Sequence, residues 1–78
     1  MKPMDKYDQP LLNAAGFEPG WSGQSWFAPD RSGQMWQAQL DDKSVFSFRV
    51  EDTNGKWGPN GPMNIVEFRK LFAVGEYE

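Results

Sequence analysis

Apolar and polar residues alternate in the middle of the chain, in the stretch WQAQLDDKSVFSFRV from Trp36 to Val50. Successive side chains of a β-strand point to opposite faces, so this alternation predicts two strands that share one apolar face. A three-residue loop, Asp42-Lys43-Ser44, would pair Leu40 with Phe46 on that face, whereas a loop of even length would set Phe46 opposite Gln39. We therefore predict the three-residue loop. The residues that share the face are Trp36, Ala38, Leu40, Phe46, Phe48 and Val50.

This apolar face is predicted to form the core rather than a binding surface. A chain of 78 residues buries only a modest fraction of its surface and has no other material for a core. Six Phe and four Trp residues must supply much of the buried area, because each ring covers roughly 150–250 Å². The residues left on the opposite face, free to meet a partner, are Gln37, Gln39, Ser47, Arg49 and Glu51, with Phe27 and Met35 adding apolar area.

Turn residues before this hairpin extend it into an antiparallel meander. The three strand-like runs lie near Gln24–Ala28, Gln34–Asp41 and Val45–Asp52. Between the first two, Pro29 to Gly33 suits a type I turn closed by its glycine in the left-handed region. We expect Ala28 to face Gln34 across this turn, which would set Trp26 across from Trp36.

A further turn signal follows the third run. Asn54-Gly55 is the strongest two-residue hairpin signal in the chain, and it predicts a short fourth strand through Lys56 and Trp57. Pro59 would stop that strand almost at once. We find no internal repeat and no low-complexity tract in the sequence.

A short helix is predicted before the strands. Asp8 is its expected N-cap, with Pro10 in the first turn, and Gly16 is its expected end. Phe17 can then fold back on the helix, as a left-handed C-terminal cap allows. The segment EPGWSG, Glu18 to Gly23, is predicted to be a loop because of its Pro and Gly residues.

A second helix is predicted near the C-terminus. Asn64 and Glu67 have the spacing of a capping box at its start. One face of this helix is apolar and should lie across the open side of the sheet; it comprises Ile65, Phe68, Leu71 and Phe72. We expect Gly75 to end the helix and residues 76–78 to be frayed.

Together these elements predict one small α+β domain spanning residues 1–78. Its architecture is a three- or four-stranded antiparallel β-meander packed against a C-terminal α-helix, with a short N-terminal helix at its edge.

The residue types present exclude much of the usual chemistry of active sites. The chain has no His and no Cys, so the commonest general base, the imidazole metal ligand and the thiolate nucleophile are missing. Asp41-Asp42 and Glu51-Asp52 are neighbouring carboxylates, but adjacent residues of a strand point to opposite faces and do not form a glycosidase-type dyad. The glycines at 55, 58 and 61 lack the spacing of a phosphate-binding loop. We predict no enzymatic activity, no catalytic residue, no metal and no cofactor.

The net charge is −3, which disfavours a protein that tracks nucleic-acid phosphates and mildly favours a partner with a basic surface. The N-terminal stretch MKPMDKYDQP has no apolar run typical of a signal sequence, and no segment approaches the roughly 18 apolar residues of a membrane span. We therefore expect a soluble intracellular protein.

Small size, acidic charge and aromatic-rich alternating strands such as WFAPDRSGQMWQAQL resemble the small inhibitor proteins that phages encode against host defence. Among these, the chain is most similar to anti-CRISPR proteins directed at type I effector complexes. The resemblance is one of general type over the whole chain and includes no family motif, so no functional residue is carried over. It implies a stoichiometric inhibitor in the host cytoplasm, which occupies a surface of the effector so that target DNA cannot bind.

A basic channel would select acidic side chains on a rigid frame. The candidate partner-binding residues are therefore Asp41 and Asp42 at the central turn and Glu51 and Asp52 at a strand end, together with Trp57. The two acidic clusters would lie at opposite ends of one strand, about 20–25 Å apart at about 3.3 Å per residue. The alternative is that these acids only cap turns and keep the protein soluble.

Two other functions fit the sequence. One is a structural or regulatory interaction module, such as a virion component or an antitoxin-like protein. The other is a carbohydrate or single-strand binder that uses Trp21 and Trp57, which lie in Gly- and Pro-rich connections. Packing over the edge of the core is the alternative role for both rings. We expect a monomer or a weak dimer, since an uncovered sheet edge can pair with a second copy.

Overall fold

The computed structural model describes residues 2–20 and 23–74. Four antiparallel strands form one sheet in the order β1-β2-β3-β4, and they are β1 (Glu18–Pro19), β2 (Ser25–Pro29), β3 (Met35–Leu40) and β4 (Phe46–Val50). Helix α1 (Gln9–Ala14) precedes the sheet and helix α2 (Ile65–Leu71) follows it. The predicted α+β fold is confirmed.

The central hairpin has the predicted register. Leu40 pairs with Phe46 and Ala38 pairs with Phe48, so the apolar residues of β3 and β4 lie on one face. The backbone N–H of Asp41 donates to the carbonyl of Val45 at 3.0 Å, which closes the hairpin around a three-residue loop. The last residue of that loop, Ser44, has a positive φ of 64°.

The loop of the first hairpin is shorter than predicted. Pro29 pairs with Met35 and Trp26 pairs with Ala38, so the expected pairing of Ala28 with Gln34, and of Trp26 with Trp36, is wrong. The cause is the turn, in which Asp30 N–H donates to the Gln34 carbonyl at 2.9 Å and leaves a three-residue rather than a five-residue loop. A shift of two residues keeps every side chain on its face, so both tryptophans still pack against the core.

Three turns of the chain share one hydrogen-bond pattern. They begin at Asp30, Asp41 and Asp52, which are spaced by eleven residues. In each turn the Asp carboxylate accepts backbone N–H bonds from the second and fourth residues that follow, at 2.8–3.1 Å, and the third residue has a positive φ. The sequence therefore contains the same turn motif, D-x-x-[GS]-x, three times. It was not predicted as an internal repeat because the segments between the turns share no motif.

The fourth strand is not the predicted one. Glu18 and Pro19, expected in a loop, form β1 at one edge of the sheet and pair with Phe27 and Trp26. The Asn54-Gly55 turn does form, but the return segment makes isolated bridges to β4 instead of a strand, one between Glu51 and Trp57 and one between Phe48 and Gly61. Pro59 lies between these bridges and has no N–H to donate, so the ladder is interrupted there.

Helix α1 begins at Gln9, directly after its predicted N-cap Asp8, but a 3₁₀ turn that was not predicted precedes it. Asp5 accepts from the Tyr7 N–H at 3.0 Å, and Asp8 accepts from the Asp5 N–H at 2.9 Å, so a 3₁₀ turn over Lys6–Asp8 leads into the helix. The Asp8 side chain is thus occupied and does not cap α1 itself. The predicted end is confirmed: Gly16 has a φ of 93°, and the Phe17 N–H donates back to the Leu12 carbonyl.

Helix α2 has the predicted capping box, in which Asn64 and Glu67 bond each other's backbone N–H. The helix ends at Leu71 rather than at Gly75. Arg31 in the first hairpin turn accounts for this end, because its guanidinium donates to the Arg69 and Phe72 carbonyls and its N–H donates to the Leu71 carbonyl. Gly75 and residues 76–78 lie outside the described residues.

Both helices cover the same side of the sheet and build the core there. The Phe68 ring is fully buried and packs 4.7–6.0 Å, between centroids, from the rings of Phe17, Phe48 and Phe72. Trp26 and Trp36 are half-buried at the margin of this cluster. The predicted packing of α2 across the apolar face is confirmed, and neither of the described helices lies on the other side of the sheet.

Candidate functional site

The side of the sheet away from the helices, called the outer face below, is the best candidate for a binding surface. Side chains that pair across strands point to the same face, and Phe27, Gln37 and Arg49 are paired in one row across β2, β3 and β4. The bridge between Glu51 and Trp57 brings the Trp57 ring over this row. We define the outer patch as Phe27, Met35, Gln37, Arg49, Glu51 and Trp57.

Arg49 is held in place from two sides. Its guanidinium carbon lies 5.0 Å from the centroid of the Trp57 ring, within the range of a cation–π contact. Its Nε–H donates to Oε1 of Gln37, and the Gln37 side chain is itself only 8 % exposed. The guanidinium therefore has a fixed position at the centre of the patch.

The Trp57 ring is supported from β2 as well. The ring of Phe27 meets it edge to face, with centroids 6.1 Å apart. Phe27 in turn packs against Gly20, where any Cβ would clash with the ring. Trp57 is half-buried, so it is anchored while part of its surface still faces solvent.

Apolar surface next to Trp57 extends to the end of the sheet. Met35 is 37 % exposed, and its carbonyl accepts from the Glu51 N–H at 2.9 Å. Glu51 also pairs with Trp57. The side chains of Met35, Glu51 and Trp57 therefore lie next to one another in a single row. Trp, Phe, Met and Arg are enriched at protein–protein interfaces, and the outer patch contains all four residue types.

The predicted acidic residues fall into two separate places. Glu51 and Asp52 lie beside Trp57 at one end of β4, whereas Asp41 and Asp42 lie at the other end, in the central turn. The carboxylates of Asp41 and Asp52 each accept two backbone N–H bonds within their turns, which gives them a structural role. Asp42 is exposed and Glu51 is half-buried.

Asp30 lies at the same end of the sheet as Glu51 and Asp52, in a position that sequence reasoning did not single out. Burial alone would raise the pKa of its carboxyl group. Hydrogen bonds from Ser32, from the Trp36 indole N–H at 2.7 Å and from the Gln34 backbone outweigh that effect and hold the pKa below its usual value. Asp30 thus adds a third carboxylate to this end of the sheet.

Sequence reasoning missed Arg49 and Gln37 as site residues, although it placed both on the face left free for a partner. Their importance depends on Trp57, and the position of that ring follows from the bridge between Glu51 and Trp57 that the Asn54-Gly55 turn allows. Once Trp57 is opposite Glu51, the alternation in β4 puts Arg49 on the same face as the ring.

Two other surface features are less specific. A polar groove on the outer face is lined by Gln39, Leu40, Asp41, Ser47 and Asn60. A groove between the helices is lined by Tyr7, Asp8, Pro10, Leu11, Ile65 and Arg69, and Tyr7 is 77 % exposed. Neither groove collects a set of convergent side chains of the kind that catalysis requires.

In residues 2–20 and 23–74, no group of three or more acidic side chains lies close enough to hold a metal ion. No helix in the same described ranges is long and apolar enough to cross a membrane.

Trp21 lies outside the described residues. One face of the Trp57 ring is covered by the Arg49 guanidinium, so a sugar ring or a base cannot stack on that face.

Comparison of the chain with protein-family models, with curated proteins and with solved structures found no match.

Proposed function

We propose that the protein is a non-enzymatic inhibitor that binds a protein partner through the outer patch, and that a type I CRISPR effector complex is the class of partner that fits it. The observation that carries this proposal is the fixed Trp57 ring, held between Arg49 and Phe27 beside the exposed Met35. Trp and Arg are enriched among the residues that dominate binding energy at protein interfaces.

The rigidity of the patch supports binding as much as its composition does. Side chains that are already fixed lose little rotamer freedom on association, whereas each mobile side chain costs roughly 0.5–1.5 kcal/mol when it is immobilised. Trp57 and Arg49 are held in place by Phe27 and Gln37, so ordering them costs a partner little. The strands beneath give the patch a firm base.

The charges of this region fit a basic partner surface at its margin. Glu51 and Asp52 lie beside Trp57, and Asp30 lies at the same end of the sheet. Acids placed around an apolar centre steer association with a basic surface and fix the orientation of the complex. In a CRISPR effector such a surface is the channel that holds target DNA, and an inhibitor seated there would compete with the DNA.

The test is a competition experiment with purified type I effector complexes and labelled target DNA. We expect the protein to reduce DNA binding at a stoichiometry near one per site, and we expect Trp57→Ala to weaken this inhibition by at least about tenfold. Tyr7→Ala is the matched control, because Tyr7 is the most exposed aromatic residue described and lies on the helix side. Its inhibition should equal that of the wild type.

The variant Asp42→Lys separates the two acidic clusters, because Asp42 is exposed whereas the Asp41 carboxylate holds the turn. Loss of inhibition in this variant with no effect of Trp57→Ala would move the contact to the central turn and contradict the outer patch. No inhibition of any type I complex by the wild type would contradict the inhibitor proposal. It would then favour a structural or regulatory interaction module.

A further inference from the structure

Arg49 is the only cationic residue of the outer patch. Within the part of the chain that the structure describes, no carboxylate lies within ion-pair distance of its guanidinium. The Arg49 guanidinium uses its Nε–H for Gln37 and its face for Trp57. No described residue accepts a hydrogen bond from its two Nη groups.

From this geometry we infer that Arg49 is an anion contact, and that it receives a carboxylate of a protein partner that is flanked by basic residues. The inference rests on the proposed function, because it assigns the chemistry that the outer patch recognises at its centre. A guanidinium presents its Nη donors as a planar fork, which matches the two oxygens of a carboxylate. Gln37 and Trp57 hold that fork in one orientation before the partner arrives.

Burial makes this contact specific. Arg49 is half-buried, and a partner that covers the patch would remove more water from it. A cation that loses its water without gaining an acceptor is strongly unfavourable at an interface. A partner that covers Trp57 must therefore bring an acceptor for the Nη groups, and a carboxylate gives the strongest hydrogen bonds among protein side chains.

The surrounding charges decide between a protein carboxylate and a nucleic-acid phosphate. Glu51 pairs with Trp57 and so shares its face, and Glu18 pairs with Phe27 at the far edge of the same face. If one phosphate of a nucleic acid bound Arg49, the neighbouring phosphates would lie close to these acidic side chains and be repelled by them. A single carboxylate between basic residues instead places each charge opposite its complement, so the protein partner is favoured.

The inference can be tested without the effector complex, by NMR on the folded protein. The readouts are the Nε–H resonance of Arg49 and the indole N–H resonance of Trp57. The probes are the capped peptide Ac-Lys-Glu-Lys-NH2, its counterpart Ac-Lys-Gln-Lys-NH2, inorganic phosphate and a short oligothymidylate. Arg49→Lys keeps the charge but removes the fork, and Arg69→Lys is the matched control on α2.

We expect the Glu peptide to shift both resonances saturably, with an affinity at least about threefold above that of the Gln peptide, because only the carboxylate provides two charged acceptors. The Trp57 shift should disappear in Arg49→Lys and persist in Arg69→Lys. An equal response to the two peptides, no response to either, or tighter binding of phosphate or oligothymidylate would each overturn the inference.

These outcomes are separate from those of the proposed function. Inhibition of an effector complex without a response to the Glu peptide would contradict the carboxylate contact and support the inhibitor proposal. A response to the Glu peptide without inhibition of any effector complex would support the contact and contradict the inhibitor proposal.

Discussion

The two faces of the sheet use aromatic residues in opposite ways. On the core face, the ring of Phe48 is buried against the Phe68 ring of α2, and contacts between rings continue through Phe17 and Phe72. On the outer face, Phe27 and Trp57 form a single pair whose neighbours are Arg49 and Gln37. The core face thus has apolar partners on every side, whereas the outer face has polar neighbours and an open side.

This difference separates the residues of one sheet into two sets in a chain of only 78 residues. Alternation along β3 and β4 sends every second residue to each face. Two helices cover one face and leave the other open, so the residues that stabilise the fold and those of the proposed binding surface are different residues of the same strands. Mutations on the two faces should therefore have different consequences, and the following predictions use that difference.

The largest effect is expected at the centre of the core face. Phe68→Ala removes a fully buried ring that contacts three others, and we expect it to lower the free energy of unfolding by about 3–5 kcal/mol. A small domain has only about 5–15 kcal/mol in total, so the variant should be close to unfolding. Chemical denaturation monitored by circular dichroism gives the value, and a loss below about 1 kcal/mol would show that the core is elsewhere.

A smaller effect is expected where the first hairpin turn meets the core. Asp30→Asn weakens the charged hydrogen bonds to the turn and to the Trp36 indole, with an expected loss of about 1–2 kcal/mol at neutral pH. Asp52→Asn is the matched control, because its turn has the same backbone bonds but Asp52 has no bond to an indole. Its loss should be the smaller one.

The Asp30 effect should depend on pH in a defined direction. The pKa of Asp30 is lowered in the folded protein from its ordinary value of 3.8. A group with a lowered folded pKa stabilises the protein fully above the unfolded value, and this stabilisation is lost as the pH falls through the folded value. The difference between wild type and Asp30→Asn should therefore be constant at neutral pH and shrink in acid. A difference that grows as the pH falls would contradict the assigned hydrogen bonds.

The smallest effect is expected at the central turn, which belongs to neither face. Ser44 occupies the position that Gly33 and Gly55 occupy in the other two turns, and all three have positive φ. Residues with a Cβ are disfavoured there by roughly 1–2 kcal/mol, so Ser44→Gly should raise the free energy of unfolding by up to about 1 kcal/mol. Thermal denaturation provides the check, and a destabilised variant would mean that the Ser44 side chain makes a contact that outweighs the strain.

Secondary structure was predicted correctly from the sequence where a single local rule determines it. Loop parity fixed the register of β3 and β4, since a shift of one residue would expose Phe46 and Phe48. The capping box at Asn64 and the glycine cap at Gly16 were equally clear, because both depend on neighbouring residues only. These elements account for the fold class and for which face is buried.

The remaining errors come from contacts between distant parts of the chain. The end of α2 depends on Arg31, which lies in another element and bonds the last carbonyls of the helix. Residues 18–19 become a strand only because β2 offers an edge to pair with. The candidate site has the same origin. Arg49 contacts the Trp57 ring because Glu51 and Trp57 form a bridge, and no local pattern around either residue predicts that contact.

The central claim is that the outer patch is a surface and not a second core. The most direct test is the free energy of unfolding of the double variant Arg49→Ala, Trp57→Ala, measured beside Phe68→Ala under the same conditions. We expect the double variant to lose no more than about 2 kcal/mol, because both side chains are half-buried, and to remain folded. A loss equal to that of Phe68→Ala, or an unfolded double variant, would show that the outer patch holds the fold together and would contradict the claim.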